Sequence, residues 1–146
     1  MNIEAKSLAV AIGLFSVGIV VGIVVDRGPA LHAQSSNRVF ELRTYTAPEG
    51  KLPDLNARFR NHTMRIFQKH GMTNVGYWVP QDAPAKDNTL IYIISHASRE
   101  AAKKSWADFG ADPEWKKVSA ESQVNGRIVT SVVSVFMDAT DYSQIK

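Results

Sequence analysis

Beyond residue 37 the spacing of hydrophobic positions switches repeatedly between a period of two and a period near 3.6. Val39 to Thr46 (VFELRTYT) alternates, with Val39, Glu41, Arg43 and Tyr45 on one face and Phe40, Leu42 and Thr44 on the other. This predicts a first strand. Ala47-Pro48-Glu49-Gly50 then reads as a turn. Leu52 to His70 predicts the first helix, with Pro53 in the first turn, where no backbone donor is lost. Leu55, Phe59, Ile66 and His70 recur at helical spacing with His62 between them, whereas Arg58, Arg60, Arg65, Gln68 and Lys69 mark the wet side. Gly71 follows as the C-terminal cap.

Thr73 to Pro80 and Thr89 to His96 predict the second and third strands, joined by the polar, proline-containing loop Gln81 to Asn88. Ser98 is placed to cap a second helix that carries Ala102, Trp106 and Phe109 on its apolar side. Gly110 interrupts that helix. Asp112-Pro113-Glu114 restarts it as cap, first position and first-turn acid, and Trp115, Val118 and Ser122 continue the inner face. After an Asn125-Gly126 turn, Ile128 to Asp138 predicts the last strand. Ile128, Val132 and Phe136 fall on one of its faces, and Val129, Val133, Val135 and Met137 on the other, so neither suits water. The order β-α-β-β-α-β predicts an α+β, ferredoxin-like sheet with both helices on one side. A sheet apolar on both faces needs two covers. The expected second cover is another copy of the chain, in a homodimer.

The N-terminal segment is of another kind. Leu8 to Val25 is uncharged and almost wholly apolar, preceded by Lys6 and followed by Asp26-Arg27-Gly28-Pro29. Two readings stand. The segment is long for the apolar core of a cleaved signal and lies near the ~18-residue threshold of a membrane-spanning helix. Leu31-His32-Ala33 offers a signal-peptidase site after Ala33. Residues 1–33 are therefore expected to be a signal peptide or an apolar membrane-anchoring helix, 34–37 a polar linker and 38–143 the folded domain. Both readings deliver the domain to the periplasmic side of the inner membrane, either free after cleavage or tethered through residues 8–25.

Composition narrows the function classes. The 146 residues are 45% hydrophobic and 21% charged, which suits one globular domain plus an extension. The net charge of +3 and pI near 9.3 are mildly basic, but acids and bases are interspersed, and no basic stripe with interleaved aromatics points to nucleic acid. The absence of cysteine removes disulfides, thiolate metal sites and cysteine nucleophiles.

The segments VFELRTYT, Ile66-Phe67-Gln68-Lys69-His70-Gly71-Met72 and Val75-Gly76-Tyr77-Trp78 occur in that order. Together with Asp112-Pro113-Glu114-Trp115 and Asp141-Tyr142-Ser143, they resemble the NIPSNAP family. The resemblance covers Arg38 to Ser143. It implies a dimeric α/β barrel of ferredoxin-like domains, akin to small monooxygenase-type barrels, and no common reaction. Animal members are mitochondrial interaction proteins linked to vesicle traffic and mitophagy. The apolar N-terminus here departs from an Arg- and Ser-rich transit peptide and points to an exported bacterial member.

Candidate chemistry is sparse. His62 and His70 lie eight residues apart, about 80° around a helix axis, so they are not a metal pair of the i, i+4 kind. With His32 in the export segment and His96 ending a strand, no metal site is expected. His62 is the candidate general base or ligand donor at a cavity mouth, against a hydrogen-bonded core or rim histidine as the plainer alternative. Glu41, Arg43 and Tyr45 form a polar row, which is expected to line the barrel between subunits. It serves there either as an interface salt bridge across the dimer or as an anchor in which Arg43 and Tyr45 hold a carbonyl or carboxylate. Trp78, Tyr92 and His96 are candidate pocket walls, with ordinary core packing as the alternative. Nucleotide-binding, nucleophile-elbow and zinc-protease motifs are absent, and no cofactor is implied.

Two functions remain. One is a non-catalytic dimeric module that binds a protein or a small apolar or carboxylate-bearing ligand. The other is a cofactor-independent, monooxygenase-like or isomerase enzyme acting on an apolar or aromatic substrate. An enzyme requires a closed cavity of about 300 Å³ or more reached by His62 or His96. A binding module is compatible with a filled barrel and an exposed apolar patch.

Overall fold

The computed structural model describes residues 38–146. The apolar run 8–25, the cleavage position Ala33 and the linker 34–37 lie outside the described residues. Among the described residues no helix is long and apolar enough to cross a membrane.

Strand β1 (Val39–Thr46) leads into α1 (Leu52–Arg58), a π-helical turn (Phe59–Thr63) and α2 (Met64–Lys69). Strands β2 (Thr73–Trp78) and β3 (Thr89–His96) follow, with a short 3₁₀ turn at Ala85–Asp87 between them. Helices α3 (Arg99–Ala111) and α4 (Pro113–Glu121) precede β4 (Ser131–Met137). The sheet runs β2-β3-β1-β4, with antiparallel neighbours throughout. This is the ferredoxin-like α+β order read from the periodicity.

Local chemistry explains the helix boundaries. Ser98 has extended backbone, and its hydroxyl accepts from the Ala101 amide at 3.1 Å. Asp112 does the same for α4, its Oδ1 accepting from the Glu114 amide at 2.8 Å with Pro113 in the first turn. At the end of α2 the chain turns left-handed at Gly71 (φ 76°). The Met72 amide bonds back to the Phe67 carbonyl and the Gly71 amide to that of Gln68, each at 3.0 Å, which is the Schellman pattern.

Several boundaries differ from the sequence expectation. β2 stops at Trp78 and β4 starts at Ser131. Gly110 does not end α3, which runs one residue further, because a helical glycine costs only about 1 kcal/mol and nothing crowds it. The first helix is not regular. The Met64 amide bonds to the Phe59 carbonyl, five residues back, so one extra residue is wound into that turn. Residues after it are rotated backwards relative to an ideal helix. Phe67 thereby enters the core, 1% exposed, and His62 leaves the apolar side and is exposed.

The core lies between the sheet and the helices. Leu55, Phe59, Ile66, Phe67, Phe109 and Val118 pack against Leu90, Tyr92 and Ile94 of β3. Ladder partners of those β3 residues are Tyr45, Arg43 and Glu41. The polar row of β1 therefore faces the chain's own helices, contrary to its expected place between subunits. The opposite face carries Phe40, Leu42 and Thr44 of β1, opposite Ser95, Ile93 and Ile91 on β3 and Met137, Val135 and Val133 on β4. No helix covers it within the described chain, and Val133 and Val135 are 55% and 49% exposed. Trp78, paired with Ile91, joins this face at its edge and is 51% exposed.

Candidate functional site

Two polar features stand out, one sealed and one open. The sealed one is centred on Glu41, 1% exposed under α3. Its Oε1 accepts from Arg43 Nη1 and from Ser134 Oγ, both at 2.6 Å. Its Oε2 accepts from Trp106 Nε1 at 2.7 Å and from His96 Nε2 at 3.0 Å. A carboxylate only accepts, so the His96 proton sits on Nε2. Burial alone would raise the pKa of Glu41. The hydrogen bonds from His96, Ser134, Trp106 and Arg43 outweigh it and bring the pKa down to about 2. The carboxylate is thus held ionised, each oxygen accepting two hydrogen bonds. The Arg43 guanidinium also stacks 4.1 Å above the Trp106 ring and reaches Tyr45 Oη at 3.4 Å. Tyr45 and Tyr92 meet edge to face at 5.3 Å, and burial raises the pKa of Tyr92 well above the ordinary phenol value.

Of the residues singled out in the sequence, Arg43, Tyr45, Tyr92 and His96 come together here. Trp78 and His62 do not. Trp78 lies on the other face of the sheet, its ring folded over Gly76, where a Cβ would come within 2.5 Å of it. The salt bridge expected across a dimer closes instead within one chain, between Arg43 and Glu41. The reason is spacing: residues i and i+2 of a strand share a face.

The open feature is a groove of about 330 Å³ between the first helical segment and the end of α4. His62, Asn61 and Asp54 line one wall and Ser122 and Glu121 the other, with Val118 and Arg58 deeper. Its volume meets the size expected of an enzyme cavity. It is not closed, because Asp54, Asn61, His62 and Glu121 are exposed, and it does not include His96.

Arg58 is the residue that periodicity misplaced. Assigned to the wet side, it is 7% exposed. Its guanidinium lies 5.1 Å above the Trp115 ring, Nε has no hydrogen-bond partner, and no ion pair to it occurs among the described residues. Burial pushes its pKa down, although an arginine remains charged. Its position three residues after Leu55 was the available signal, since i and i+3 share a helix face. Among the described residues no three His, Asp or Glu side chains cluster to hold a metal.

A NIPSNAP family profile matches residues 40–144. The fold is similar to a NIPSNAP family protein of unknown function from Agrobacterium tumefaciens, with TM-score 0.66 and 20% identity over 76% of this chain and 96% of that one. It is also similar to a NIPSNAP-like domain protein from Burkholderia xenovorans, with TM-score 0.64 and 15% identity over 74% and 90%. A more distant likeness, TM-score 0.50 and 14% identity over 75% and 98%, is to SnoaB, a cofactor-independent oxygenase from Streptomyces nogalater. At that identity it shows a shared fold alone. None of the curated proteins matches the chain. The chain belongs to the NIPSNAP family.

Proposed function

We propose that this NIPSNAP domain is an exported, non-catalytic binding module that works as a homodimer. The observation that carries the reading is the uncovered sheet face. Leu42, Ile91, Ile93, Val133, Val135 and Trp78 form an apolar surface with no charged side chain among the paired residues. A twofold interface sets a patch against itself, and an uncharged apolar face suits such self-pairing because it brings no like charges together. Trp78 supplies the kind of half-exposed aromatic that anchors interfaces.

The sealed cluster supports a structural role over catalysis. Among the described residues Glu41 and His96 are the most buried acid and base, and the carboxylate is already saturated by four donors. The apolar run at residues 8–25 and the Ala33 site support export, with the domain either released or tethered. Sedimentation of the Trp78→Ala and Val133→Asp variants tests the assembly. Both are expected to weaken association by at least tenfold (about 1.4 kcal/mol), while His62→Ala leaves it unchanged. Unaltered association in Val133→Asp would reject the interface.

A further inference from the structure

We infer that the groove beneath Arg58 is a binding site for a small monocarboxylate with an apolar body. This deepens the binding-module reading and shares no residue with the sheet face on which dimerisation rests. Arg58 is buried at 7% exposure, with Nε sealed and unpartnered, on a wall of a 330 Å³ groove. A buried guanidinium without an acid is a costly arrangement that a carboxylate relieves, through the planar fork that matches two carboxylate oxygens. Among the described residues no acid pairs with it. Asp54 lies one helical turn away, but its carboxylate is engaged by Lys51 at 3.1 Å. Glu121 at the rim faces Lys117 at 3.9 Å.

The π-helical turn is a second, independent mark. It begins immediately after Arg58, and the Thr63 hydroxyl donates to the Arg58 carbonyl at 3.3 Å, within the turn the extra residue widens. Such one-residue insertions concentrate at functional sites. The turn rotates His62 out of the core to the groove wall, where its ring nitrogens are available to a ligand.

Charge sets the ligand class. One buried cation at depth suits one anionic group. At the rim Asp54 and Glu121 offset Lys51 and Lys117, so the groove offers no second net positive charge to a second anionic group on the ligand. Val118 at depth and Val124 at the lip provide contact for a short hydrocarbon. A dicarboxylate or phosphate is therefore disfavoured, as is a neutral alcohol, which leaves the guanidinium unpaired.

The test uses the full chain in a fixed non-ionic detergent, titrated with hexanoate, hexanol and succinate while tryptophan emission is followed. Trp115 lies under the Arg58 guanidinium and reports occupancy. The expected result is saturation by hexanoate at about 1 mM or below, and binding of hexanol and succinate about tenfold weaker or worse. Arg58→Met is expected to lose hexanoate binding about tenfold. Because that variant can disturb the core, Asp54→Asn, on the exposed rim, provides a second arm. It should narrow the preference for hexanoate over succinate about threefold. No saturable response to hexanoate, an equal response to hexanol, or an unchanged preference in Asp54→Asn would each overturn the assignment. Sedimentation of the same samples separates the two readings. A monomer that binds hexanoate rejects the dimer and supports this site, and a dimer that does not bind rejects this site alone.

Discussion

Arg43 Nη1 donates to Glu41 Oε1 at 2.6 Å, two residues away on the same strand and beneath the chain's own helices. The relationship decides the reading of the β1 polar row. The Glu41 carboxylate of the pair is saturated by Ser134, His96 and Trp106 as well, and it ties β1 to β3, β4 and α3 at one point.

Glu41 makes stability depend on acid. Its folded pKa of about 2 lies below the ordinary value of 4.5, so its contribution is present above pH 4.5 and is lost as pH falls toward 2. The shift corresponds to about 3 kcal/mol at most. Denaturant unfolding between pH 2 and pH 7 should show the difference between the wild type and Glu41→Gln shrinking through this window. Glu41→Gln should cost about 3 kcal/mol at pH 7, because the largely covered Arg43 is left without its anion. A constant difference across the window would show that the carboxylate charge does not contribute.

Asp112 combines two roles at the α2–α4 junction. Oδ1 caps α4, and Oδ2 accepts from Lys69 at 2.7 Å and from His70 at 2.6 Å. Lys69 and His70 hold its carboxyl well below the usual range. Asp112→Ala should lower the melting temperature by about 5 °C, and Asp112→Asn by clearly less, since asparagine also caps. Equal losses would assign the effect to the ion pairs instead of the cap.

The glycines separate by backbone. Gly71 needs positive φ, and its added Cβ would meet nothing closer than Ser105 Oγ at 3.7 Å, so Gly71→Ala should cost about 1–2 kcal/mol from conformation alone. Gly110 is helical with open space around it, and Gly110→Ala should stabilise by about 0.5–1 kcal/mol. Denaturation midpoints of the two variants should move in opposite directions. A destabilised Gly110→Ala would show that α3 needs the glycine's freedom.

Strands β1 and β3 were legible residue for residue, because runs rich in β-branched and aromatic residues are bounded by turn residues at the loop ends. The caps at Ser98 and Asp112 were legible because their side-chain oxygens have one local use. The π-helical turn was not. It is a change in backbone hydrogen-bond register that leaves no change in residue type, and it moved His62 out and Phe67 in. Arg58 was hidden for a related reason: an arginine on a helix is assumed wet, and tertiary packing over the Trp115 ring is what buries it. The candidate ligand residues split between a sealed cluster and a sheet face because one strand residue alone cannot reveal which face the helices cover.

Residues 1–33 are expected to be dispensable for folding. Their composition suits lipid, while the described core is built from residues beyond 38. A chain beginning at Gln34 should be soluble and melt in one cooperative transition. A molten or aggregated product would mean that the apolar segment packs on the domain.

Pairing of the open sheet face with a second copy is read directly by sedimentation equilibrium of the chain beginning at Gln34. Between about 1 and 100 µM the predicted mass is twice that of one chain, because a stable interface of about 1,600 Å² is within reach of a four-stranded face. A single-chain mass across the whole range, with Val133 and Val135 left in water, would contradict it.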